Sequence, residues 1–139
     1  MIKQLTVFLE NTEGRLAALT RAISDAGINM NMLTIAEVSD YGLVRILCED
    51  ASLAAEKLET AGFRAKTTDV LAVEVPNVPG GLAKLLETLD VADVNIEYGY
   101  CFNISDERAV DVFKVTDDEQ ALSALTAAGF TALNQEDLF

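Results

Sequence analysis

Hydrophobic positions change their spacing in the same order in both halves of this chain. In the first half, Leu5, Val7 and Leu9 recur at every second position, as in a half-buried strand. The apolar residues that follow recur at helical spacing: Leu16, Leu19, Ile23 and Ala26. The second half repeats this change of period with two sets: Leu71, Val73 and Val75, then Leu82, Leu85, Leu86 and Leu89. Each half is therefore predicted to begin with a strand and a helix.

Two more strands, a second helix and a short last strand are predicted in each half. The strands are expected over four ranges: 29–38, 42–49, 95–104 and 108–116. The second helices are expected over 51–61 and 118–128, where a glycine follows as a typical helix stop. The order strand, helix, strand, strand, helix, strand is the split βαβ arrangement. It predicts an α+β fold with ferredoxin-like units, each an antiparallel sheet with both helices on one face.

Short motifs recur between the halves at constant spacing. Four residues recur 66 positions later: Asn11, Gly14, Leu16 and Asn29 as Asn77, Gly80, Leu82 and Asn95. The Ala-Gly-Phe segment 61–63 recurs 67 positions later, as 128–130. Such self-similarity is typical of a repeated structural module. The sequence therefore predicts two similar domains, 1–67 and 68–139.

The repeated motifs are similar to those of a known domain family. An Asn-x-x-Gly-x-Leu loop that opens a helix, and a Gly-Ile-Asn-Met segment that opens the next strand, resemble the ACT domain family. The chain is similar over its whole length to two ACT units in tandem. The resemblance implies units paired side by side into an eight-stranded sheet. It also implies regulatory binding of a small ligand, most often an amino acid, at the seam between the units.

Carried over to this sequence, the resemblance implies two pseudo-equivalent sites, each made from the loop of one unit and the strand start of the other. One comprises Asn11, Gly14, Arg15, Leu16, Asn95 and Ile96. The other comprises Asn77, Val78, Pro79, Gly80, Gly81, Leu82, Asn29 and Met30. A helix N-terminus offers free N–H groups to a carboxylate, and asparagine suits a zwitterion.

Structural roles are the alternative explanation of the same residues. Asparagine before a helix is commonly a cap and glycine a turn residue, and Pro79 suits the first turn of a helix. The structural alternative for Asn29 and Asn95 is that they complete the turn between helix and strand. Capping itself explains Asn11 and Asn77 but not these two partners, which favours binding. A further stripe is expected to pack on one strand face: Ile96, Tyr98, Tyr100 and Phe102, with Met30 and Met32 at equivalent positions.

Composition excludes several classes of function. With 23 acidic and 10 basic residues the net charge is -13, which opposes binding to nucleic acid or to an anionic membrane. There is no histidine, so the commonest general base and metal ligand are missing, and we expect neither an enzyme nor a metal or cofactor site. Cys48 and Cys101 have no metal-ligand spacing and are expected to be reduced. The start of the chain lacks a signal-peptide pattern, which predicts a cytoplasmic protein.

These observations predict a regulatory protein that binds an amino acid and passes its occupancy to a partner protein, as a homodimer. The alternative is a protein–protein interaction module of the same fold with vestigial ligand sites.

Overall fold

The computed structural model describes all residues, 1–139, and contains seven strands and five helices. In chain order these are β1 (Ile2–Glu10), α1 (Arg15–Asp25), β2 (Met30–Val38), β3 (Tyr41–Cys48), α2 (Ala51–Thr60), β4 (Arg64–Pro76), α3 (Gly81–Val91), β5 (Ile96–Asn103), β6 (Arg108–Val115), α4 (Asp118–Ala127), β7 (Thr131–Leu133) and α5 (Gln135–Leu138). The predicted α+β fold, with βαββαβ repeated twice and antiparallel strands, is confirmed. No helix combines the length and the apolar character that a membrane span requires.

The chain divides into two compact units. The first comprises Lys3–Thr68 with Phe139, and the second comprises Met1–Ile2 with Asp69–Leu138. In the first unit the strands lie in the order β2-β3-β1, followed by the start of β4; in the second the order is β5-β6-β4-β7. The strands β2 and β5 therefore each lie at one edge, and β7 lies at the other edge in the second unit.

Strand β4 runs across the boundary predicted between the domains 1–67 and 68–139. It is one strand of 13 residues, and its start belongs to the first unit and its remainder to the second. No glycine occurs within it, and the only proline, Pro76, is its last residue. Nothing in residues 64–75 therefore interrupts the extended backbone, although the division between the two units falls between Thr68 and Asp69.

Each unit has its own hydrophobic core between one sheet face and two helices. In the first unit the core joins strand residues such as Val7 and Ile46 to Leu19 and Leu58 on the helices. In the second it joins Val73 to helix residues including Leu85, Leu89 and Leu125. Most residues predicted from helical spacing thus hold each first helix to its sheet, but the first of each set, Leu16 and Leu82, is exposed.

A bulge near the start of both edge strands changes the predicted side-chain pattern. The register shifts between Met30 and Met32, and again between Ile96 and Tyr98. Because of this shift, Ile96 packs into the helix-side core, whereas Tyr98 is paired with Lys114 and lies on the opposite face. The prediction that Ile96 shares a stripe with the aromatic residues is therefore wrong. Strict alternation fails at a bulge because one extra residue reverses the side-chain direction.

The short helix α5 after β7 was not predicted. Its start is fixed by a reciprocal pair of hydrogen bonds between Asn134 and Asp137. The N–H of Asn134 donates to Asp137 Oδ2 at 2.8 Å, and the N–H of Asp137 donates to Asn134 Oδ1 at 3.1 Å. This arrangement is a capping box with Asp in the place of the usual Glu.

Candidate functional site

Both first helices begin at a left-handed glycine. Gly14 precedes α1 with a φ of 80°, and Gly80 precedes α3 with a φ of 89°. Glycine adopts this conformation without the steric penalty that a Cβ brings. The recurrence of glycine at an interval of 66 residues therefore reflects a shared loop geometry.

These two helix N-termini carry no side-chain cap. In the first unit the N–H groups of Arg15 and Ala18 donate to carbonyls of the loop, whereas those of Leu16 and Ala17 have no intramolecular acceptor. The first turn of α3 repeats this arrangement: Gly81 and Lys84 donate, while Leu82 and Ala83 do not. Each loop thus presents two adjacent backbone donors at the positive end of a helix dipole, an arrangement suited to a carboxylate.

The other long helices of the same chain are capped by aspartate side chains. Asp50 accepts from the N–H of Leu53 at 2.9 Å, and Asp117 accepts from the N–H of Gln120 at 2.9 Å. In both repeats, therefore, an aspartate side chain accepts from one N-terminal N–H of the second helix, and no side chain does so in the first helix.

The asparagines of the two loops do not cap the helices, contrary to the structural alternative. The side-chain amide of Asn77 donates to the carbonyl of Asp106 at 3.0 Å and its backbone N–H donates to Glu107, so Asn77 holds the loop to the β5–β6 hairpin. Asn11 makes only the backbone contact to Asp40, and its exposed side chain forms no hydrogen bond. Both asparagines lie too early in the chain to act as caps, because the cap position is the glycine.

The remaining residues of the second loop are also placed by backbone geometry. Pro79 precedes the helix instead of lying in its first turn, since α3 begins at Gly81. A Cβ at Gly81 would clash with the carbonyl oxygen of Pro76, so only glycine fits there. Val78 and Leu82 are exposed on either side of this turn, as is Leu16 at the equivalent of Leu82 in the first unit.

The strand-start residues lie at the other end of the first helix within each unit. Asn29 and Asn95 immediately precede β2 and β5, and α1 and α3, with 11 residues each, are about 16 Å long. Met30 and Ile96 direct their side chains into the cores. The exposed side chains of Asn29 and Asn95 form no hydrogen bond. Each unit by itself thus brings its loop residues together but keeps them apart from its own strand-start asparagine.

A hollow of about 570 Å³ lies beside the loop of the second unit. Val78, Pro79, Gly80 and Gly81 line it. At its rim Arg108 makes a two-point ion pair with Glu74, in which Nε donates to Oε1 at 2.8 Å. The hydrogen bond from Arg108 lowers the pKa of Glu74, so this carboxylate stays charged and holds the arginine.

The equivalent hollow of the first unit, about 470 Å³, contains residues that the sequence analysis did not single out. Of the predicted site residues only Arg15 lines it, together with Phe8, Tyr41, Phe63 and Arg64. The guanidinium of Arg15 lies 5.0 Å from the centre of the Phe63 ring. The recurrent Ala-Gly-Phe segment is the sequence feature that could have indicated this hollow, because it forms the turn that brings Phe63 to the end of β1.

Comparison with known proteins decides the family. The sequence profile of the ACT domain pair matches residues 1–139, which is the whole chain. The chain belongs to the ACT domain family. ACT domains are regulatory modules that bind small molecules, and this chain is a tandem pair of them.

Three solved structures share this fold. Protein BT0572 from Bacteroides thetaiotaomicron is 36% identical with a TM-score of 0.92, and the match covers 99% of this chain and 94% of that one. The regulatory subunit of aspartate kinase from Thermus thermophilus, in its ligand-free form, is 22% identical with a TM-score of 0.66, covering 91% of both chains. The corresponding subunit from Thermus flavus is also 22% identical, with a TM-score of 0.63 and the same coverage. No curated protein matches.

Proposed function

We propose that this ACT pair is a non-catalytic regulatory protein that binds an amino acid through the N-termini of its first helices. One observation carries the proposal: in both first helices the second and third backbone N–H groups have no acceptor behind a left-handed glycine, whereas in the second helices an aspartate side chain accepts from the third. A ligand α-carboxylate would satisfy these donors.

The ammonium group of the ligand requires oxygen acceptors, and the strand-start asparagines supply them in this proposal. Asn29 and Asn95 are exposed, and their side chains form no hydrogen bonds. Because each lies a helix length away from the loop of its own unit, we place every ligand between a loop of one ACT unit and a strand start of another. This is the seam arrangement expected from the resemblance.

Regulation follows if the ligand favours one arrangement of ACT units over another, because a ligand shifts an equilibrium only by its differential affinity. We propose a homodimer as the responsive state and a partner protein as its target. The regulatory subunit of aspartate kinase provides a precedent in fold, at 22% identity. An amino acid of about ten heavy atoms, at roughly 0.5 kcal/mol each, would bind with a Kd of order 0.1 mM.

A thermal-shift screen of the purified chain against the common amino acids tests the proposal, since a ligand that binds only the folded state raises the apparent stability. One class of amino acid should raise the melting temperature, and Asn95→Ala should reduce that shift. Asn103→Ala is the matched control, because Asn103 is also an exposed asparagine of the β5 region outside the proposed site. If no amino acid stabilises the protein, the proposal fails and the interaction module becomes the better account.

A further inference from the structure

The hollow of the first unit has a chemical character that the ligand proposed above does not require. It lies within the unit, at the end of β1, and is bounded by Arg15, Tyr41 and the 62–64 turn. Its volume of about 470 Å³ is within the range of small-molecule sites. Aromatic rings and arginines form most of its side-chain wall.

Two arginines of this hollow are held against aromatic rings. Arg15 lies over Phe63 at 5.0 Å, and Arg64 lies over Phe8 at 5.6 Å. Lys66 also lies 5.3 Å from the Phe8 ring centre. A guanidinium stacked on a ring keeps its N–H groups free in its own plane, where the two oxygens of a carboxylate can accept two parallel hydrogen bonds from them.

Arg15 also carries an unsatisfied donor. Its Nε is buried from solvent and has no hydrogen-bond partner, which is rare for a buried polar group in a folded protein. Glu10 is the one carboxylate that lines the hollow, against the two arginines. In a chain with a net charge of -13, this hollow is therefore a local positive site.

The second repeat has the same hollow but different chemistry. Of the eight lining positions only Gly62 and Phe63 recur, as Gly129 and Phe130. The rings and arginines are lost, because Phe8, Arg15, Tyr41 and Arg64 are replaced by Glu74, Gly81, Glu107 and Thr131. There Arg108 is already paired with Glu74, and Lys84 lies 5.9 Å from the ring of Phe130. The shared Phe63 and Phe130 meet a requirement of the fold, whereas the arginines and the additional rings occur only in the first unit.

We propose that the hollow of the first unit binds an aromatic carboxylate. The rings of Phe8 and Tyr41, 6.4 Å apart and inclined at 44°, would contact the ligand ring, and Arg15 and Arg64 would hold the carboxylate. This site needs neither a seam between units nor an acceptor for an ammonium group. It therefore stands independently of the proposed amino-acid site, although Arg15 belongs to both.

Titration of 3-phenylpropanoate into the full chain, followed by calorimetry and by the backbone amide signals of Gly62 and Phe63, tests this inference. The carboxylate should bind at millimolar concentration or below, and the neutral 3-phenylpropanamide and the non-aromatic hexanoate should each bind about 10-fold more weakly. Arg64→Gln should weaken the binding of 3-phenylpropanoate by about 5-fold or more, because one charge-assisted contact to the carboxylate is lost. Phe8→Leu should weaken it while leaving hexanoate unchanged.

The control is Lys84→Gln, which removes the same charge from the hollow of the second unit. It should leave 3-phenylpropanoate binding unchanged, and Arg64→Gln should leave any amino-acid-induced thermal shift unchanged. The inference is overturned if the amide binds as tightly as the carboxylate, or if Lys84→Gln and Arg64→Gln weaken 3-phenylpropanoate binding equally. It is also overturned if 3-phenylpropanoate at about 10 mM does not bind. Because the amino-acid shift is read separately, failure here is distinguishable from failure of the proposed function.

Discussion

Replacing Gly80 by alanine tests whether the left-handed glycine is required where the second loop enters α3. Gly80 has a φ of 89°, and no atom lies within 4 Å of the position that a Cβ would take. The expected penalty is therefore conformational and not steric. A non-glycine residue in this region costs about 1–2 kcal/mol. The reduced freedom of the unfolded chain offsets about 0.4–1 kcal/mol of that cost.

The net loss of about 1 kcal/mol converts into a shift in melting temperature. With an unfolding entropy of about 2.1 cal/mol/K per residue, a chain of 139 residues shifts by about 3 °C per kcal/mol. Gly80→Ala should therefore melt about 3 °C lower, as followed by circular dichroism. It should also weaken amino-acid binding, because a rotated backbone turns the free N–H groups of Leu82 and Ala83 away from the ligand.

Gly42→Ala is the matched control for this prediction. Gly42 lies outside the left-handed region, and the nearest atoms to its added Cβ are 3.8 Å away, an ordinary contact. The same substitution should leave the melting temperature unchanged or raise it. Equal melting temperatures for Gly80→Ala and the unsubstituted protein would refute the argument that this loop geometry demands glycine.

Three further predictions concern side chains outside the loops. Burial raises the pKa of Asp111, although a hydrogen bond from Cys101 opposes the shift, so its contribution to stability is present below the unfolded pKa and is lost as pH rises through the folded pKa. Urea midpoints of Asp111→Asn should therefore decline less steeply with pH, and an unchanged pH slope would contradict this. The pKa of Glu74 is lowered, so its contribution to stability is present above the unfolded pKa and is lost as pH falls through the folded pKa. Glu74→Gln should remove this loss of stability at acid pH, as measured by urea midpoints. Asp117→Ala removes a cap and should cost about 1 kcal/mol in urea unfolding, and an unchanged midpoint would count against its capping role.

Much of the fold was predictable because local pattern and tertiary structure agree. The alternation at Leu5, Val7 and Leu9 and the helical spacing of Leu19 and Ile23 identify residues that do lie in the first core. Recurrence at a fixed interval of 66 residues then extended each assignment to the other half. Such agreement across levels is what makes an element predictable.

The bulges and the continuous strand were not predictable by these means. Periodicity assumes an unbroken ladder, so it assigned Ile96 and Tyr98 to one face, whereas an extra residue separates their directions. A repeat indicates where a unit recurs but does not show whether one strand continues across the join, as β4 does from Arg64 to Pro76.

The candidate site was predictable in its glycines and only partly in its asparagines. Gly14 and Gly80 are recognisable because they recur before a helical pattern. The use of Asn77 as a tie to the hairpin depends on Asp106, 29 positions away, which no local pattern reveals. The first-unit hollow depends on a contact between Arg15 and Phe63 that only the folded chain brings together.

The most direct test of the account is an amide NMR titration with the amino acid that gives the largest thermal shift. The account predicts that the amide signals of Leu16, Ala17, Leu82 and Ala83, which have no acceptor within the protein, move together with saturation. The decarboxylated amine of the same amino acid should leave them in place. Binding of the amino acid without any change at these four amides would contradict the claim that the uncapped helices hold the carboxylate.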